Sequence, residues 1–171
     1  MAALRVGPGV DSDTECGPMI TRKAVEKIDR LVEDAISRGA RVLCGGRATA
    51  GRGSFYSPTV LANVSPASDM GCEEIFGPVA PLYRFESEAE VAAAANDTEY
   101  GPAAYIYTRD MGRGMRVASK VEAGMIALNR GLVSDPAAPF CGVKQSGLGR
   151  EGGQRHGLAE FMEAKYIATS L

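Results

Sequence analysis

Glu73-Glu74-Ile75-Phe76-Gly77-Pro78-Val79, just before the middle of the chain, is the stretch whose reading decides the fold. Two adjacent carboxylates lead into an apolar pair, Gly77-Pro78 fixes a turn, and Val79 to Phe85 reads as the strand that leaves it. Judged by itself, a Glu-Glu pair ahead of an apolar turn reads as a solvated helix start, since negative charge is stabilised near a helix N-terminus. The segments on either side alternate helical and extended patterns, the order that an α/β architecture produces.

Upstream, Ala24, Val25, Ile28, Leu31, Val32, Ala35 and Ile36 recur at helical spacing, with Thr21 as N-cap and Gly39 where a C-terminal glycine is useful. Val42-Leu43-Cys44 reads as a short buried strand ended by Gly45-Gly46, and residues 47–54 read as loop. Phe55-Tyr56 and Thr59-Val60-Leu61 read as extended around Pro58, which suggests a sheet edge. Downstream, Ser87-Glu88-Ala89-Glu90 is a capping box opening an alanine-rich helix that Asn96 and Asp97 close. Tyr105-Ile106-Tyr107 reads as a strand, Asp110 caps a helix reaching about Val121, and Met125 to Leu128 reads as another strand. A loop rich in glycine and proline spans 129–150, and a last helix near Gln154 to Met162 leads into a terminal strand, Tyr166 to Thr169. No internal repeat and no linker divides the chain, so one core is expected.

The composition is globular: 45% apolar and 23% charged residues over 171, with a net charge of -2. That charge leaves no basic footprint for nucleic acid. No stretch approaches the roughly 18 apolar residues that span a bilayer, and no signal-peptide core precedes the first helix, so a soluble, cytoplasmic protein is expected. Cys16, Cys44, Cys72 and Cys141 form no C-x-x-C pair and His156 is the single histidine, a pattern of free thiols rather than of metal ligands.

A second dense stretch runs Pro139-Phe140-Cys141-Gly142-Val143-Lys144-Gln145-Ser146-Gly147-Leu148-Gly149-Arg150-Glu151. Gly147 to Gly152 fits the G-x-G-x-x-G spacing of a dinucleotide-binding turn. Such a turn has to follow a strand, open a crossover helix and reach an acidic residue about 20 positions later. Here Val143-Lys144-Gln145-Ser146 precede it and the chain ends at Leu171, so a glycine-rich connection packing loop against helix is the better reading.

These two stretches, with Leu4-Arg5-Val6-Gly7, Gly17-Pro18-Met19-Ile20 and Lys165-Tyr166, resemble the C-terminal part of an aldehyde dehydrogenase, most similar to the succinate-semialdehyde type. The resemblance implies the second half of that family's α/β catalytic domain over residues 1–164: an open, mostly parallel sheet with flanking helices. It implies a terminal oligomerisation strand over 165–171, and hence a homo-oligomer or association with like chains. The implied chemistry is oxidation of an aldehyde to a carboxylate with NAD or NADP. A cysteine thiolate attacks the carbonyl, an oxyanion hole stabilises the adduct, hydride passes to nicotinamide, and a glutamate-activated water releases the acid.

By the same resemblance Glu74 bonds the nicotinamide ribose hydroxyls and Phe76 packs near the nicotinamide. A carboxylate suits the first task because it accepts two hydroxyl hydrogen bonds. Phe140 resembles the aromatic residue that walls the aldehyde pocket, with an ordinary core phenylalanine as the alternative. Ser134 resembles the serine that hydrogen-bonds the carboxylate at the far end of the substrate, with a turn serine before Asp135-Pro136 as the alternative.

Two positions depart from the family pattern: Cys141 stands where a glycine is usual, and Arg130 where small or acidic residues are. No cysteine has the neighbours of the family's nucleophile, and Cys16 falls in a variable turn. The nucleophile and general base are therefore expected in segments that would precede Met1, making the chain a C-terminal segment inactive alone. The alternative is a stand-alone, non-catalytic module that self-associates or binds an intact relative.

Overall fold

A computed structural model describes residues 1–153 and 156–170. The expected start of the last helix at Gln154, and Leu171 at the end of the expected terminal strand, lie outside the described residues. The chain gathers into two compact units, Met1–Arg84 and Phe85–Leu171, rather than around the one core expected.

In the first unit, α1 (Arg22–Ser37) is fixed at both ends by its own sequence. The Thr21 hydroxyl accepts the Ala24 N–H at 3.1 Å. Gly39, at φ 97°, lets the chain reverse while the Gly39 N–H bonds the Ile36 carbonyl and the Ala40 N–H bonds the Ala35 carbonyl, both at 2.9 Å. Its apolar face, Val25, Ile28, Leu31, Val32 and Ala35, is buried against Tyr56, Leu61, Val64, Met70 and Val79. The sheet of this unit is ordered β1 (Arg41–Cys44), β2 (Thr59–Ala62), β3 (Val79–Leu82), with β1–β2 antiparallel and β2–β3 parallel. The short helix α2 (Asp69–Cys72) lies in the crossover between the parallel strands.

Two expectations need correction here. The first strand is not buried: Val42 is 38% and Leu43 50% exposed, because β1 is the outer strand and pairs, among the described residues, with β2 alone. Conversely β2 is central rather than at the edge, with Thr59 and Leu61 fully buried. Pro58 is tolerated because it stops one residue short of the ladder, which opens with the Thr59 N–H bonding the Pro78 carbonyl at 2.8 Å.

In the second unit, α3 (Glu88–Asn96) carries the expected cap, the Ser87 hydroxyl accepting the Glu90 N–H at 3.1 Å. The Glu90 carboxylate reaches back to the Glu86 N–H at 2.7 Å, one residue beyond the usual capping-box partner. After β4 (Tyr100–Gly101) and β5 (Ala103–Ile106) comes α4 (Met111–Ala118), capped by Asp110 and ending before Val121 in a turn closed on the Val117 carbonyl. Then β6 (Met125–Leu128) pairs in parallel with β5. The expected long loop hides a strand, β7 (Val143–Lys144), antiparallel to β4. Of the last helix only α5 (His156–Ala159) is formed among the described residues, and 163–170 carry no secondary structure. The interleaved helices and parallel pairs β2–β3 and β5–β6 make this an α/β protein, as expected. No helix among the described residues is long and apolar enough to cross a membrane.

Candidate active site

Glu74 and Phe76 lie in the connection from α2 to β3, and the first unit holds that connection from beneath. Ile75 packs against the buried cluster. Gly77 presses so closely on α1 that a β-carbon there would collide with Ile28 Cδ1 and crowd Met19 Cε. With both neighbours anchored, Phe76 takes φ 46°, a left-handed conformation that for a bulky residue is an outlier costing about 1–3 kcal/mol. The residue is 78% exposed. An aromatic side chain on a left-handed backbone is thus left outside the core.

The polar face of α1 grips the same connection. Lys27 Nζ donates to the Glu74 carbonyl at 2.7 Å. Arg30 donates to Asp69 at 2.6 Å and to both Glu73 oxygens at 2.8 and 2.7 Å. The Glu73 hydrogen bond is the main reason the Arg30 pKa is raised. Asp34 accepts the Asp69 N–H at 2.8 Å and Arg38 Nε at 2.8 Å, and these two contacts hold its carboxyl below the usual carboxylate range. Lys27, Arg30 and Asp34 went unnoticed in the sequence. Their spacing of three and four residues marks one helix face, but nothing in it says what that face meets. The Glu74 carboxylate itself is exposed and has no hydrogen-bond partner among the described residues.

In the second unit the loop after β6 opens at Asn129, whose φ of 55° turns the chain outward. Ser134 is exposed, and the next residues form a turn in which the Asp135 carboxylate accepts the Ala137 N–H at 2.9 Å and the Asp135 carbonyl the Ala138 N–H at 3.0 Å. Phe140 is no core residue, being 51% exposed. It is fixed by backbone bonds to Glu151 in both directions, at 2.6 and 2.8 Å. Cys141 points its thiol at the Gly124 carbonyl, 3.2 Å away, so its sulfur is engaged with backbone. Lys144, also at positive φ, is caged by the carbonyls of Asn96 and Thr98 at 2.7 and 3.1 Å and by Glu122 at 2.8 Å, which pins the far end of the loop. Among the described residues no group of three or more His, Cys, Asp or Glu side chains is placed to hold a metal.

The sequence profile of the aldehyde dehydrogenase family matches residues 1–167. A glutarate-semialdehyde dehydrogenase of Pseudomonas putida is 48% identical over 171 residues, covering 100% of this chain and 35% of its own length. The NADP(+)-dependent succinate-semialdehyde dehydrogenase of Escherichia coli is 46% identical with the same coverages. A crystal structure described as an E. coli NADP-dependent enzyme superposes with a TM-score of 0.94 at 46% identity, over 98% of this chain and 35% of that one. The chain thus spans about a third of the length of these relatives.

Proposed function

The chain belongs to the aldehyde dehydrogenase family, and from that premise we propose that it provides the nicotinamide-ribose and substrate-end contacts of a soluble, cytoplasmic NAD(P)-dependent aldehyde oxidoreductase. The thiol nucleophile and general base are supplied outside these residues. The observation that carries the reading is the Glu74–Phe76 connection: a carboxylate without a partner among the described residues and a bare aromatic ring, both on backbone anchored by α1.

The residues present fit the nicotinamide half of such a cofactor. Glu74 offers two acceptor oxygens to a pair of ribose hydroxyls, and Phe76 offers a face that limits swing of a planar ring. What the nicotinamide supplies when bound is a hydride acceptor. Lys27 and Arg30 hold the connection in register, so the two contacts are made without reorganising the backbone.

For substrate, aldehydes ending in a carboxylate fit best, succinate semialdehyde first. Both relatives named above act on a semialdehyde of a dicarboxylic acid, and Ser134 is an exposed hydroxyl able to bond the far carboxylate. Phe140 is the apolar wall. Replacing the corresponding third of the E. coli enzyme with this chain tests the reading. The hybrid should oxidise succinate semialdehyde with NADP+, and Glu74→Ala should cost roughly 1.5–3 kcal/mol of transition-state binding, as for a hydrogen bond to a charged group. A hybrid indifferent to Glu74→Ala refutes the cofactor role.

A further inference from the structure

Glu73 and Glu74 are adjacent carboxylates of identical chemistry, yet the structure treats them oppositely. The backbone of Glu73 is extended, with φ -95° and ψ 135°, a conformation that sends successive side chains to opposite sides. Glu73 turns onto α1, where one guanidinium nitrogen of Arg30 holds both its oxygens while the other holds Asp69 at 2.6 Å. Asp69 opens α2 and Glu73 follows its last residue, so the planar fork of Arg30 sets both the helix and the rotation of the chain leaving it. Among the described residues Glu74 is engaged through its carbonyl alone, by Lys27.

We infer that Arg30 is a positioning residue for the cofactor contact: by tying down Glu73 it determines that Glu74, and not its neighbour, is presented to the nicotinamide ribose. This rests on the reading of Glu74 given above. Without Arg30, Glu73 is left to the longer contact with Lys27 Nζ at 3.9 Å, and its loosened carboxylate competes with Glu74, both as an alternative acceptor and through like-charge repulsion.

The test is titration of the full chain with nicotinamide mononucleotide, which carries the ribose hydroxyls, followed by residue-resolved NMR of Glu73, Glu74 and Phe76. In the unaltered chain the perturbations fall on Glu74 and Phe76 and spare Glu73. Arg30→Met should weaken binding about fivefold, the scale set by a partly exposed ion pair, and spread the perturbation to Glu73. Adding Glu73→Gln to Arg30→Met removes the competing carboxylate and should restore most of the affinity, a rescue that a merely structural role for Arg30 does not allow. Arg30→Met binding as tightly as the unaltered chain, with Glu73 still silent, overturns the inference. So does a double variant no better than Arg30→Met. Should Arg30→Met not fold, Arg30→Lys decides: it keeps the charge but not the fork, and full retention of affinity and selectivity overturns the inference equally. A different result, Glu74→Ala binding as well as the unaltered chain or no perturbation at Glu74 at all, sinks the cofactor reading beneath it.

Discussion

Asn129 closes on Thr108 from both sides: its Oδ1 accepts the Thr108 N–H and its Nδ2 donates to the Thr108 carbonyl, each at 2.9 Å. Its own N–H bonds the Ile106 carbonyl at 2.8 Å. One carboxamide therefore extends the parallel β5–β6 ladder and then releases the chain, at positive φ, into the loop bearing Arg130 and Ser134. Asn129→Ala removes both side-chain bonds and leaves a β-carbon in a left-handed conformation, so we expect a loss of about 1–3 kcal/mol. Asn129→Gly relieves the backbone but not the bonds and should recover a minor part. Urea unfolding of the three chains measures this, and equal midpoints would remove Asn129 from the role.

Glu88, the first residue of α3, ties that helix to α4 through Arg116 at 2.7 Å and Arg113 at 3.1 Å. The Arg116 hydrogen bond foremost, with Arg113 behind it, drops its carboxyl from an ordinary 4.5 to about 2. Because the folded value is the lower one, the stabilisation is fully present above about 4.5 and is lost as pH falls from there towards 2. Stability measured against pH should therefore decline across that window, and Glu88→Gln should flatten the decline. A variant with an unchanged acid limb would assign the loss to other carboxylates.

Gly77→Ala should destabilise the first unit by about 1–3 kcal/mol, the usual cost of overpacking, because the added methyl collides with Ile28 Cδ1. Ile28→Val alone costs about 0.5–1.5 kcal/mol as a buried methylene is lost. Together the two should cost less than their sum, since valine lacks the atom that the alanine strikes. Strict additivity in thermal unfolding would place the strain elsewhere.

Ser134→Ala, in the hybrid with the E. coli enzyme, should raise KM for succinate semialdehyde while sparing aliphatic aldehydes that carry no second charge. A neutral hydroxyl bonding a carboxylate contributes about 1.5–3 kcal/mol. Equal losses for both aldehydes would make Ser134 a turn residue and nothing more.

What could be read from the chain alone was local. Thr21, Gly39, Ser87 and Asp110 act within a few residues of themselves, and their helices start or stop where those residues dictate. Burial is a property of neighbours, so an apolar Val42-Leu43 read as buried and a Pro58 read as an edge marker were both misplaced until the order β1-β2-β3 was known. At the site, Glu74, Phe76, Ser134 and Phe140 stood out by resemblance. The residues that hold them did not, because the contacts from Arg30 to Glu73 and from Asn129 to Thr108 span intervals that no local pattern encodes. The left-handed backbone of Phe76 is equally invisible, since nothing in the identity of a phenylalanine announces a φ of 46°.

The purified chain should self-associate. Within the described residues β1 pairs only with β2, leaving one edge of Arg41-Val42-Leu43-Cys44 with unpaired backbone groups beside half-exposed apolar side chains. The segment 163–170 carries no secondary structure, and Tyr166 and Ile167 are 89% and 78% exposed. Open strand edges and bare apolar segments recruit other chains, and a terminal strand needs a partner to form. Light scattering at micromolar concentration should find oligomers. Leu43→Lys places a charge on the β1 edge, the device by which natural edges resist pairing, and truncation before Lys165 removes the terminal segment. If the edge drives association, Leu43→Lys gives a smaller species and truncation does not; if the terminal strand drives it, the reverse holds. A monodisperse monomer with cooperative unfolding in the unaltered chain would show that neither surface seeks a partner.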